Sequence, residues 1–395
     1  MSITVFSKKR ALCLIAGNAI GTGIFTTTGF ILRDLQSPWL ALSIWILGGI
    51  YSLLGVYSYS TLHQKFPGSG GEYNFLSKGL HPKVGTLAGF ATILMGFTAP
   101  VAASCMAFAA YFLRALPQIG VHETYLSLMV LTFVFILHYA SLHKGMKWHD
   151  AFIYLKLILF FVLILIMFLL ADWQWPETNG KFNIYTYARS FFWIAYAYSG
   201  WNAVYYVASE LTENETEVNK ASFLGSALVI LLYVLINIPL LFGLSFDKLS
   251  GAPEVIAVFF ETNIGFSMER VISAVIALGL LSTISTFMII VPRVYSKMAE
   301  DKVIPKFFYF KPNTHPHKVF LFQYLLTAAF LLIFDFEFIL NSAGFVLTVC
   351  SLLSVLSLYF SKIIKLKFKQ VIGTSAYICL TSLLVYFGGP WFSGI

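Results

Sequence analysis

Charged side chains are scarce in this chain. They make up 11% of its 395 residues, whereas a soluble globular domain carries about 25%. Hydrophobic residues make up 58% of the chain, more than the roughly 45–50% of a soluble domain. The composition excludes a large soluble protein and indicates a chain that lies mostly in a lipid bilayer.

Cysteine is also scarce, and so are carboxylates inside the apolar runs. The four cysteines all fall in apolar runs, so they indicate neither a disulfide framework nor a redox compartment. Asp335 and Glu337 fall in a turn, and Glu210 falls at the end of a run. We find no metal-ligand spacing, no nucleophile triad and no phosphate-binding loop. We therefore expect no metal, no cofactor and no enzymatic activity.

Uncharged runs long enough to cross a bilayer fill most of the sequence. About 20 apolar residues span the hydrocarbon as a helix. Eleven candidate runs are 11–32, 35–64, 84–113, 124–143, 151–171 (interrupted by Lys156), 190–209, 221–246, 271–292, 319–334, 338–361 and 370–395. Only residues 335–337 separate the ninth run from the tenth, which predicts a tight helical hairpin. The sequence thus predicts an all-α integral membrane protein with about eleven transmembrane helices.

The distribution of basic residues predicts the orientation. If the N-terminus is cytoplasmic, the inner segments hold 19 of the 26 Lys and Arg residues and the outer segments hold 6. Cytoplasmic loops of membrane proteins carry an excess of Lys and Arg. We expect a multi-pass protein of the cell (inner or plasma) membrane with a cytoplasmic N-terminus and, after eleven crossings, an external C-terminus. The net charge of +8 then reflects insertion topology and requires no nucleic acid partner.

Two of the runs carry interruptions with glycine and small hydroxyl residues near mid-span. They are residues 17–25 (GNAIGTGIF) and residues 196–202 (YAYSGWN). Glycine costs a helix interior about 1 kcal/mol relative to alanine, and paired helix breaks in two halves point to the binding site of a secondary transporter. Incidental glycines are the alternative, since glycine is common in membrane helices. We favour paired breaks because a break at membrane depth needs a protein-lined cavity.

Five spans precede the loop at 172–189, and five follow it before Lys362. An odd number of helices per half inverts one half relative to the other, as in the LeuT-type 5+5 fold with discontinuous helices 1 and 6. We expect one domain over 1–395, with a first inverted repeat at about 10–171. The second repeat is expected at about 186–361 and an extra helix at about 370–390.

The two broken helices present opposite electrostatic poles to the space between them. Past the first break, a half-helix begins with unpaired N–H groups at the positive end of its dipole, which suit a carboxylate. The carbonyls at the ends of the preceding half-helices suit an ammonium group. A zwitterionic α-amino acid matches both poles, whereas a ligand with one charge leaves one unmatched. The predicted substrate-binding residues are Ala19, Ile20, Gly21, Thr22, Gly23, Tyr196, Ala197, Ser199 and Gly200.

Four motifs, in order along the chain, are similar to those of one known family. They are residues 17–25, residues 66–73 (FPGSGGEY), residues 196–202 with 207–210 (VASE), and Arg293 with residues 301–305 (DKVIP). On these motifs the chain resembles the amino acid–polyamine–organocation (APC) superfamily, most closely its L-amino-acid-transporter-like branch of amino acid permeases. The segment 211–220 departs from the family, which usually has Asn-Pro and Pro-Arg pairs there. The resemblance implies the LeuT-type fold and the same site assignments.

Lys156 is the most unusual single residue. A lysine near the centre of a membrane helix costs about 2.5–3.5 kcal/mol on insertion scales and is functional by default; snorkelling toward the membrane edge is the alternative. The resemblance implies that its ammonium reaches the broken first helix and the eighth helix, in place of the sodium ion of sodium-coupled relatives. Ser282, Thr283 and Thr286 are the candidate hydroxyl partners. Because lysine and sodium would repel each other there, a sodium site is disfavoured.

Gates are predicted on either side of the site. The resemblance implies that Tyr196 covers the substrate; a packing ring is the alternative. Glu210 and Arg293 are candidates for a pair that closes the cytoplasmic side, with a surface ion pair of no consequence as the alternative. The predicted gate and coupling residues are Lys156, Tyr196, Ser282, Thr283, Thr286, Glu210 and Arg293.

We therefore expect a sodium-independent amino acid transporter that works by alternating access, as an exchanger or a proton symporter. Neutral amino acids are favoured because no carboxylate lies deep in a span, although aromatic faces can also hold cations. The alternatives are a cationic amino acid or polyamine/organic-amine antiporter and a non-transporting amino acid sensor. The expected partners are the amino acid substrate, the lipid bilayer, and a proton or a counter-transported amino acid. An oligomer or an accessory subunit is left open.

Overall fold

The structure is a computed structural model that describes residues 15, 17, 19–140, 142–175, 180–206, 215–310, 314–360 and 365–392. Across these residues the chain is helical almost throughout and contains no β-strand. The predicted all-α fold is confirmed.

The helices, in chain order over the described residues, alternate between long apolar spans and short connecting elements. They are α1 (Thr22–Leu35), α2 (Pro38–Lys65), α3 (Glu72–Gly79), α4 (Pro82–Ala115), α5 (Glu123–Ala140), α6 (Leu142–Leu170), α7 (Ile184–Ala197), α8 (Ala203–Tyr206), α9 (Glu215–Phe242), α10 (Phe246–Leu249), α11 (Val255–Asn263), α12 (Phe266–Glu300), α13 (His317–Ile333), α14 (Phe336–Phe360) and α15 (Phe368–Gly388). One π-helical turn, Thr92–Thr98, lies inside α4.

The long helices coincide with the predicted spans. In the described part of the chain, seven helices are long and apolar enough to cross a membrane: α2, α4, α6, α9, α12, α14 and α15. Two shorter apolar helices, α5 and α13, match the fourth and ninth predicted spans. Only two residues lie between α13 and α14, so the predicted tight connection is present. The first predicted span holds α1, and the sixth holds α8 and part of α7.

Both predicted breaks are present. Ala19 is helical, Gly21 is in extended backbone (φ −135°, ψ −151°), and α1 begins at the next residue. In the sixth span α7 ends at Ala197, and a turn with Gly200 at φ +107° precedes α8. Positive φ is accessible to glycine without steric cost, which explains a glycine in this turn.

The two breaks lie against each other. A Cβ atom on Gly23 would overlap the Cα of Ala197, so the start of α1 meets the end of α7 at backbone distance. Small residues allow this close approach of helices within a membrane. The Gly-Thr-Gly segment of the first motif therefore brings the N-terminus of one half-helix to the C-terminus of the other.

Charged contacts distinguish the two ends of the helical bundle. At one end, Arg33 of α1 makes two hydrogen bonds of 2.9 Å to Glu337 of α14; we name this the Arg33 end. At the opposite end, Asp301 accepts hydrogen bonds from Tyr73 at 2.8 Å and from Lys297 at 3.0 Å; we name this the Lys297 end. The breaks lie between these ends. The boundaries of the two inverted repeats stay a prediction.

Candidate functional site

The start of α1 presents backbone amides without a side-chain cap. Gly21 precedes the helix and has no side chain to cap it. The nearby hydroxyls bond elsewhere: Thr22 Oγ1 lies 2.8 Å from Ser104 Oγ, and Thr26 donates to the Thr22 carbonyl at 2.9 Å. Uncapped N–H groups at the positive end of a helix dipole form an anion site. This part of the predicted carboxylate site therefore has the required geometry.

Lys156 of α6 occupies the other side of the first break. Its Nζ donates to the Ile20 carbonyl at 2.7 Å, to the Gly17 carbonyl at 3.0 Å and to Thr283 Oγ1 of α12 at 3.2 Å. The residue is only 4% exposed. Its ammonium thus points into the protein at the break, and the snorkelling orientation is not the one in the structure.

The three hydroxyl candidates on α12 do not share one role. Thr283 contacts Lys156 and also lies 3.4 Å from the Ile20 carbonyl. Ser282 donates to the Gly279 carbonyl at 2.7 Å, and Thr286 donates to the Ser282 carbonyl at 2.8 Å. The structure therefore brings Thr283 to the lysine and leaves the other two hydroxyls bonded within their own helix.

Tyr233 of α9 joins the two breaks, a role that the sequence analysis missed. Its hydroxyl donates to the Ala19 carbonyl and lies 3.1 Å from the Ala197 carbonyl. The residue is fully buried. One hydroxyl hydrogen satisfies one acceptor at a time, so the second carbonyl keeps a free lone pair for an external donor such as a substrate ammonium.

A weak sequence signal accompanies Tyr233. Asn237 follows one helical turn later, donates to the Tyr233 carbonyl at 2.8 Å and accepts from Thr28 of α1 at 2.6 Å. Two polar side chains at i and i+4 on one face of an apolar helix indicate a polar contact inside the membrane. In a chain with 21 tyrosines this signal is too common to single out one residue.

The second break surrounds a small cavity. The carbonyl of Tyr196 accepts the Ser199 N–H at 2.9 Å, and the Tyr196 ring is buried. Next to it a cavity with room for about two water molecules is lined by Ser199, Gly200 and Asn202 from the break. Its other walls are Ala195, Trp201 and Tyr206, Tyr51 of α2, Gly96 and Phe97 of α4, Phe287 and Ile290 of α12, and Leu347 and Ser351 of α14. We name it the Ser199 cavity.

A buried carboxylate lies directly behind this cavity. Glu72, the first residue of α3, is 1% exposed. It accepts hydrogen bonds from Tyr59 at 2.7 Å, from Asn202 Nδ2 at 2.8 Å and from Tyr206 at 2.5 Å. Glu72 was not predicted from the sequence because it lies between two spans, whereas the search for buried carboxylates was confined to the spans. The glycine-rich motif that precedes it was the available signal.

The predicted gate pair is not described in full. Glu210 lies outside the described residues, so its relation to Arg293 stays a prediction.

In the described part of the chain, no group of three or more His, Cys, Asp or Glu side chains is arranged to hold a metal ion.

Two facing helix breaks within a bundle of membrane-spanning helices are the architecture typical of secondary transporters. A family model described as amino acid permease matches residues 6–392. The chain therefore belongs to the amino acid permease family, and the resemblance to the APC superfamily is confirmed.

Curated relatives are similar over most of the chain. The large neutral amino acids transporter small subunit 2 of Mus musculus is 26% identical over 352 residues, which cover 84% of this chain and 65% of that protein. The Asc-type amino acid transporter 1 of Homo sapiens is 25% identical over 372 residues, 88% of this chain and 69% of that protein. This chain thus spans less than two thirds of the length of the first relative. A b(0,+)-type amino acid transporter 1 of Mus musculus is 25% identical over 237 residues, 58% of this chain and 49% of that protein.

Proposed function

We propose that this chain is a sodium-independent secondary transporter that moves neutral L-amino acids across the membrane by alternating access. One observation carries the proposal: the uncapped start of α1 lies against the carbonyl end of α7, midway between the ends of the bundle. The amides suit an α-carboxylate and the carbonyls suit an α-ammonium. The names of the relatives, which include a large neutral amino acids transporter, support an amino acid as the cargo.

Lys156 supports sodium independence. Its ammonium takes two backbone carbonyls and one hydroxyl, which are hard oxygen ligands of the kind that an alkali cation uses. A second cation within about 4 Å would be repelled by several kcal/mol at the effective dielectric of a protein. The lysine nitrogen thus occupies the place that a coupling ion would take.

The orientation of the chain follows from its charges. If every predicted span crosses the membrane, the connections on the side of the Lys297 end hold 19 of the 26 Lys and Arg residues. Such an excess of basic residues is typical of cytoplasmic segments. We propose that the Lys297 end is cytoplasmic, which puts the N-terminus inside and the C-terminus outside. In this orientation the Arg33–Glu337 pair faces the external solution.

The positions of the cysteines bear on how an accessory subunit would associate with this chain. The first relative is named a small subunit, which implies assembly of that protein with another chain. Here all four cysteines fall within apolar spans, at 13, 105, 350 and 379, and the connecting segments contain none. The predicted connecting segments therefore supply no thiol for a covalent link.

Counterflow in proteoliposomes tests the proposed function. Vesicles preloaded with an unlabelled neutral amino acid should accumulate the labelled one, with equal rates in sodium and in choline. Empty vesicles with an imposed pH gradient separate the two modes, because only a proton symporter accumulates substrate there. Protein-free vesicles are the control.

The same assay decides between the proposal and its alternatives. Inhibition by arginine or agmatine at lower concentration than by any neutral amino acid would establish the cationic or organic-amine carrier instead. Saturable binding without flux would establish a sensor. Neither binding nor flux across a panel of all common amino acids would refute the proposed function.

A further inference from the structure

The amide of Asn202 has a fixed direction. Its Nδ2 lies 2.8 Å from Glu72 Oε1 and 3.3 Å from the Tyr206 hydroxyl, so both amide hydrogens have acceptors. Its Oδ1 accepts no hydrogen bond from the described residues and is not sealed in the core. Asn202 lines the Ser199 cavity, and because its amide nitrogen is occupied, the oxygen is the polar group of its side chain that remains for a ligand there.

Glu72 imposes this direction. A carboxylate accepts hydrogen bonds and donates none. If the Asn202 amide were flipped, two acceptor oxygens would face each other at about the present 2.8 Å separation, and a buried repulsion of this kind is costly. Tyr59 and Tyr206 hold the carboxylate from two other directions, so it cannot turn away.

Among the polar side chains that line the cavity, the Asn202 oxygen can only accept a hydrogen bond, whereas the hydroxyls of Ser199 and Ser351 can also donate one. Ser351 already donates to the Thr348 carbonyl at 2.9 Å and accepts from Tyr377 at 2.7 Å. The walls formed by Phe97 and Phe287 are apolar. A ligand group that reaches Asn202 must therefore donate a hydrogen bond, or it leaves a polar oxygen without a partner.

We propose that Glu72, acting through Asn202, makes the Ser199 cavity select substrate side chains that carry a hydrogen-bond donor. The substrate class is then the small hydroxyl amino acids, with threonine preferred over valine and serine over alanine. This inference rests on the proposed function and deepens it. The volume agrees: the room for about two water molecules accommodates a hydroxyl and a methyl group.

Threonine and valine provide a matched comparison, because they have nearly the same shape and differ by one hydroxyl. The hydrogen bond to a neutral acceptor changes affinity by about 2- to 10-fold. We expect unlabelled threonine to inhibit counterflow at a concentration about 2- to 10-fold lower than valine. A cavity that selected on size alone would give a ratio near one.

Three variants test whether Glu72 causes the preference for threonine over valine. Glu72→Gln introduces a donor that can face Asn202 Oδ1, so the amide is free to flip. The fold preference for threonine over valine should then fall toward one, while valine transport continues. Glu72→Asp keeps an acceptor and should restore most of the preference. Thr92→Val is the control, because it removes a buried hydroxyl that has no hydrogen-bond partner and does not line the cavity.

The outcomes separate this inference from the proposed function. Wild-type protein that exchanges valine and threonine equally well would overturn the selectivity and leave transport standing. A Glu72→Gln protein that keeps the full threonine preference would overturn the role of Glu72. If Glu72→Gln does not fold, Asn202→Leu decides, because it removes the acceptor and should abolish the preference. Wild-type protein with no counterflow of any amino acid would refute the proposed function itself.

Discussion

Replacing Lys156 by methionine separates its role in transport from its role in folding. Methionine is unbranched and fills a similar space, so packing between α6 and α12 is retained. The variant loses hydrogen bonds to the Gly17 and Ile20 carbonyls and to Thr283. Each carbonyl left buried without a donor costs about 1–3 kcal/mol, or about 2–6 kcal/mol for the two.

This cost falls on the conformations in which the first break docks against α6 and α12. Since about 1.4 kcal/mol corresponds to a factor of ten in rate, we expect turnover of Lys156→Met to fall at least tenfold. Stability should change less, because the variant also avoids the cost of about 2.5–3.5 kcal/mol of placing a lysine in the membrane. The expected result is a near-normal melting temperature with a large loss of turnover.

Counterflow at saturating substrate and thermal unfolding in detergent measure the two quantities. Thr283→Val is the matched control: it removes one of the three acceptors of Lys156, and a loss of a few-fold is expected. In the Lys156→Met variant, sodium should restore part of the turnover, because vacated oxygens can hold a cation. Wild-type turnover in Lys156→Met, in either salt, would refute the coupling role of the lysine.

Three further outcomes follow from the same geometry. Tyr233→Phe removes the donor between the two breaks and should lower turnover about tenfold in the counterflow assay, with little change in melting temperature; an unaltered rate would remove Tyr233 from the mechanism. Gly23→Ala places a methyl group against the Ala197 backbone and should cost about 1–3 kcal/mol of stability, measured as a lower melting temperature. Glu337→Gln weakens a half-exposed pair with Arg33 and should change stability by less than about 1 kcal/mol; a larger change would show that this contact holds the Arg33 end together.

The spans and the breaks were predictable because the bilayer imposes them on the sequence. Each spanning segment must be apolar over about 20 residues, and a break leaves glycine where the chain departs from the helix. Gly21 and Gly23 at the first break and Gly200 at the second are visible for this reason. Lys156 was visible because an isolated charge in an apolar run is rare.

The partners of the breaks were less predictable. Thr283 was one of three adjacent hydroxyls, and only the rotation of α12 decides which of them faces Lys156. Tyr233 and Glu72 have no comparable sequence signal, since Tyr233 is one tyrosine among many and Glu72 lies outside the spans. Their roles depend on long-range packing: Tyr233 reaches a carbonyl 214 residues away and Glu72 an amide 130 residues away.

The long-range hydrogen bonds at the two breaks restrict how the half-helices can move. A helix break exposes backbone groups that water cannot satisfy inside a membrane, so distant side chains must do so. Lys156 and Tyr233 each reach a carbonyl of the first break, and Glu72 holds the Asn202 side chain at the second. A half-helix can tilt only when such bonds are exchanged for others of similar strength. The substrate's own ammonium and carboxylate offer that exchange, which makes movement of the half-helices conditional on an occupied site.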